Sequence, residues 1–83
     1  MNRAEALAYY LTLTAYQRAL ETQLHLLRGN LRMMTRLGSR AEVRRMMANE
    51  ITRVSLDNRE VIFEIRAVAE EMNFPLPPAL RAN

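Results

Sequence analysis

Two runs of apolar residues, each advancing by alternating steps of three and four and separated by little more than Gly38-Ser39, constrain this chain more than any other feature of its 83 residues. The first run falls at Ala6, Tyr10, Leu13, Leu20, Leu24, Leu27, Leu31 and Met34, broken only by Gln17. The second falls at Met47, Ile51, Val54, Val61, Ile65, Val68 and Met72, broken only by Asn58. Such steps return to one side of an α-helix, so each run marks the face of a long helix that keeps meeting the same neighbour. Between Arg3 and Arg28 there is no glycine or proline, and Asn2 with Glu5 has capping-box spacing, which starts the first helix. The stripe runs through Gly29-Asn30, so the helix is expected to continue, straight or slightly kinked, to a stop at Gly38. Ser39-Arg40-Ala41-Glu42 has the form of a second capping box and opens the second helix. Asp57 with Glu60 offers another start signal, which makes 55–58 the place where that helix is expected to kink, if it kinks.

Two helices joined by so short a turn lie antiparallel, and a turn at 38–39 pairs positions whose numbers sum to about 75. Leu20 then faces Val54, Leu24 faces Ile51, and Tyr10 faces Ile65. The same register sets Gln17 opposite Asn58, bringing the two polar interruptions into one layer. A buried amide pair of this kind specifies alignment at some cost in stability. The expected fold is therefore all-α, a long antiparallel helical hairpin over residues 1–72. Phe74-Pro75-Leu76-Pro77-Pro78 cannot continue a helix, so 73–83 is expected to run as an extended, Pro-containing tail.

The open end of this hairpin is too apolar for two helices alone. A second face, formed by Ala4, Ala8, Leu11, Ala15, Ala19 and Phe63, remains wet when only one stripe of each helix is buried. Either the tail folds back through Phe74, Leu76 and Leu80, or a second chain completes a four-helix bundle; a homodimer or higher homo-oligomer is the expectation.

At the turn the balance reverses. All twelve basic residues are arginine, and six of them, Arg28, Arg32, Arg36, Arg40, Arg44 and Arg45, gather between 28 and 45 with Glu42 as the one acid. From Met46 onward six acids outnumber four arginines, so the net charge of +3 conceals a dipolar molecule. Met33 and Met46 flank the same tip, where flexible thioethers suit an apolar groove and guanidinium groups suit carboxylates. The expected function is a non-enzymatic adaptor, chaperone or inhibitor that self-associates through its apolar end and docks an acidic protein partner by its basic tip. The alternative is an RNA- or DNA-binding regulator using the same arginines on phosphates. However, the aromatic residues that accompany basic ones in single-strand binders all lie at the other end, at Tyr9, Tyr10, Tyr16, Phe63 and Phe74.

Catalysis is not expected. The single histidine, His25, reads as a surface pair with Glu21; no cysteine, His pair or Gly-rich phosphate loop is present, and no cofactor or metal is expected. The longest uncharged stretch, Ala6 to Gln17, is too short to cross a bilayer and makes a poor signal peptide, which leads to the expectation of a cytoplasmic protein without a membrane role.

Overall fold

The computed structural model describes residues 1–81 and consists of helix α1 (Arg3–Arg36), helix α2 (Ala41–Met72) and a single 3-10 turn at Pro78–Leu80. The two helices pack along their length into a rod of 52 × 24 × 15 Å. No helix among the described residues is long and apolar enough to cross a membrane.

Helix α1 begins as its sequence requires. The Glu5 backbone N–H donates to the Asn2 side chain at 2.8 Å, while the Asn2 N–H donates back to the Glu5 carboxylate at 3.3 Å. It runs through Gly29-Asn30 without a break and closes at Gly38, whose φ of +70° reverses the chain. There the Gly38 N–H donates to the Thr35 carbonyl and the Ser39 N–H to the Met34 carbonyl, the paired bonds of a Schellman motif.

That closure overturns the second expected capping box. Ser39 belongs to the end of α1, not to the start of α2; the N-cap is Arg40, no side chain caps α2, and the Ser39 hydroxyl is buried without a partner. The Arg44 guanidinium donates instead to the Ser39 carbonyl, tying the first turn of α2 to the last residue of the loop.

Helix α2 is continuous through 55–58, the one place where the sequence offered a possible kink. The Asp57 carboxylate, which offered the start signal for a new helix, accepts instead from Arg53 at 3.3 Å. At its end α2 repeats the device of α1 with Asn73 in the left-handed region at φ 57°, and the Phe74 N–H donates to the Ala69 carbonyl at 2.9 Å.

The register is the expected one. Leu20, Leu24 and Val54 form one buried cluster with Leu27, Ile51 and Val61 packed on it, and Tyr10 joins Ile65 in the other, on which Leu13, Val61 and Ile62 pack. This second cluster gains a third layer from the tail, which runs extended only as far as Pro77 and then turns so that Leu80 is buried against it. Pro78 suits the first position of that turn because its fixed φ matches and its missing N–H is not needed there. The Tyr10 hydroxyl donates to the Pro75 carbonyl at 2.7 Å, Arg66 to the Leu80 carbonyl at 3.3 Å, and Arg3 to the Met72 carbonyl at 2.8 Å. Arg3 also lies over the Phe74 ring, 4.8 Å from its centroid, and Phe74 packs tilted against Tyr10 at 5.2 Å. The last two residues of the expected tail lie outside the described ones.

Candidate functional site

Three surfaces were singled out from the sequence, and the structure treats them differently. The polar layer is assembled as expected and gains a member. Gln17 and Asn58 are both buried, and the Gln17 amide donates to the Asn58 carbonyl oxygen at 3.2 Å. Glu21 completes the layer: its Oε1 accepts from Asn58 at 2.9 Å and from Gln17 at 3.1 Å. Glu21 is thus committed to these amides, not to the His25 side chain with which its spacing suggested a pair. The signal that could have found it is its place one turn beyond Gln17, on the same face of α1. Bonds to an ionised acceptor are stronger than neutral ones, so a carboxylate at the edge of the layer anchors both amides.

The tip arginines stand where the register puts them. Arg28, Arg32 and Arg36 project from the last turns of α1, Arg40 sits in the turn, and Arg45 lies on the first turns of α2; all five are exposed. Arg44 is half-buried and spends its guanidinium on the Ser39 carbonyl, which makes it a structural member of the turn as well as a charge. Among the described residues the ion pairs are those of Arg53 with Glu50 and Asp57, so none of the tip arginines meets an acid. The contrast with Arg53 is direct: its hydrogen bond to Glu50 holds that carboxyl below the usual carboxylate range and raises the guanidinium, chiefly through the same bond. Met33 and Met46 are exposed, whereas Met34 and Met47 are half-buried between the helices. Leu31, Arg32, Thr35 and Arg36 line a shallow groove of about 520 Å³ along the last turns of α1.

The apolar face divides. Ala4, Ala8, Leu11, Ala15 and Ala19 are all exposed on the side of α1 turned away from α2. Phe63 is exposed as well, but it precedes buried Ile65 by two residues, about 200° around α2, and so faces away from α1. The six residues therefore occupy opposite flanks of the rod. Phe63 shares its flank with Arg59 and Glu60, and Leu11 shares a groove with Arg18 and the tail residues Pro77 and Pro78.

The burial of Tyr10 pushes its phenol above the usual range, since the anion would have to form in an apolar setting. Its hydroxyl holds the tail down through the bond to the Pro75 carbonyl. No protein-family model, curated protein or solved structure matches this chain.

Proposed function

We propose that this protein is a non-enzymatic interaction module that self-associates through an apolar flank and docks an acidic protein partner through its arginine tip. The observation that carries the reading is the contrast between the arginines. Arg3, Arg53, Arg66 and Arg81 have internal hydrogen-bond acceptors, while seven exposed arginines have none among the described residues; five of these, Arg28, Arg32, Arg36, Arg40 and Arg45, gather at the tip, and Arg18 and Arg59 stand apart. Five uncommitted guanidinium groups beside an apolar side chain, Leu31, and two open thioethers suit a segment that carries carboxylates around an apolar anchor. Phosphates would satisfy the arginines equally well, but the tip has no aromatic ring on which a base would stack.

The test is capture from the native host by the wild-type chain and by the Arg32→Gln, Arg36→Gln, Arg40→Gln triple variant, each with and without nuclease. The reading requires a protein that survives nuclease and is lost with the triple variant. Bound material that disappears with nuclease, and whose affinity falls steeply with salt on a log–log plot, would establish the nucleic-acid alternative. Equal capture by both chains would reduce the tip to a solvated face.

A further inference from the structure

The exposed flank of α1 is longer than its alanine-rich beginning. Beyond Ala4, Ala8, Leu11, Ala15 and Ala19 the same steps of three and four continue through Thr22, Leu26, Gly29, Met33 and Leu37, and no charged residue falls on this line from one end of the helix to the other. Its large members lie open: Leu11 is 58% exposed, Leu26 60%, Met33 52% and Leu37 78%. The corresponding flank of α2 carries Arg45, Arg59 and Glu70. Thus α1 has a second apolar face that α2 does not cover, and the tail reaches only its Leu11 edge through Pro77 and Pro78.

We infer that the outer face of α1 is covered by the same face of a second copy, running antiparallel. This rests on the self-association half of the function proposed above and specifies its geometry. The first support is size. Under a two-fold axis that pairs positions summing to about 41, small residues meet large ones: Ala4 faces Leu37, Ala8 faces Met33, Ala15 faces Leu26, and Leu11 faces Gly29 with Asn30. Ala19 and Thr22 meet at the axis.

The second support is Gly29. A glycine inside a helix costs stability relative to alanine, and nothing within the protomer requires one here. Its backbone φ is not in the positive region, and an added Cβ would meet only the end of the Arg32 side chain at an ordinary 3.8 Å. The antiparallel contact supplies the missing reason, because Leu11 of the other copy packs onto this position. Charge agrees. Parallel copies would set two tips side by side, each with six arginines against one acid; antiparallel copies place each tip beside the other's open end, near the acid-rich half of α2. Area agrees too: a strip about 50 Å long and about 10 Å wide gives roughly 500 Å² per partner, enough to reach the ~1,000 Å² total of a specific interface. Arg28 lies away from this face, whereas the Arg32 guanidinium, 3.8 Å from where a Gly29 Cβ would stand, borders it.

The absence of cysteine makes the test clean. Ala19→Cys should form a disulfide-linked homodimer under mild oxidation, because two copies of residue 19 lie close to the axis. Ala4→Cys alone should not, since its two copies are about 50 Å apart; mixed with Leu37→Cys it should cross-link. Gly29→Leu, which raises helix propensity and so does not threaten folding, should weaken association at least tenfold in sedimentation with helicity retained. Self-cross-linking by Ala4→Cys would show a parallel pair and overturn the inference while leaving self-association standing. A dimer that survives Gly29→Leu and Leu26→Glu but is dissociated by Phe63→Glu would place the contact on α2. A wild-type chain that sediments as a monomer removes both this contact and the self-association on which it rests, without touching the tip, which the capture experiment tests separately.

Discussion

The two ends of the hairpin are built from the same pair of stripes yet reach different degrees of burial. Every fully buried side chain lies at Leu24 or before, or at Val54 or after; between them, Leu27, Leu31, Met34, Met47 and Ile51 are only half-covered although they continue the stripes without a gap. Part of the difference is a third layer, although Leu20, Leu24 and Val54 are buried by the two helices alone. At the open end the tail lies over Tyr10, Ile65 and Ala69, whereas at the tip two helices have only each other. Two helices alone enclose Leu20, Leu24 and Val54 but leave the stripe residues nearer the turn half-covered, so apolar periodicity sets which residues point inward but not how far water is excluded. Five of the seven exposed arginines without an internal acceptor lie at this less covered end, which is where the function proposed above seats its partner.

If this comparison is right, truncations at the two ends should differ most in cost. Ile65→Ala, at a site with 0% exposure, should lower unfolding free energy by about 3 kcal/mol, and Leu27→Ala by less than half of that, in urea titrations of both variants. Equal losses would mean that the tip is as well enclosed as the open end. The polar layer separates the tail-covered cluster from the cluster of Leu20, Leu24 and Val54. Asn58→Leu should cost about 2 kcal/mol, because it leaves buried Gln17 with one partner fewer. The double variant with Gln17→Leu should cost less than the sum of the single changes. Urea titrations of the two singles and the double close the cycle.

Tyr10→Phe should cost about 1 kcal/mol through loss of the bond to the Pro75 carbonyl, and it should also flatten the alkaline limb of the stability curve. The sign follows from burial. The phenol titrates higher in the folded chain than in the unfolded one, so its contribution is fully present below the unfolded value near 10 and is lost as pH rises beyond it. Thermal melts between pH 8 and pH 11 on wild type and variant check this. Smallest of all, the Arg32→Gln, Arg36→Gln, Arg40→Gln variant should melt within about 0.5 kcal/mol of wild type, since these side chains have no partner to lose.

Most of the fold was legible because helical periodicity and a short turn over-determine it: once Gly38 is placed, Leu20 must face Val54 and Gln17 must face Asn58. The finer errors share a cause. Ser39-Arg40-Ala41-Glu42 resembles a cap, but a backbone N–H can serve only one helix end, and the Ser39 N–H closes α1. Glu21 was hidden because it is exposed and its bonding depends on where Asn58 of the other helix arrives. The division of the apolar face, with Phe63 on one flank and the alanines on the other, follows from the rotation of each helix about its own axis. That rotation becomes plain only when buried Ile65 and Tyr10 show which way each helix faces.

Residue-resolved hydrogen exchange along α2 tests the unequal ends most directly, since this one helix runs from the bare tip to the covered end and takes no part in the inferred contact between copies. Protection should be highest across 58–69 and should fall steadily through Ile51 and Met47 toward Ala41, with exchange at the tip governed by local opening and not by global unfolding. Uniform protection from Ala41 to Met72, or a maximum at the tip in the free protein, would contradict it.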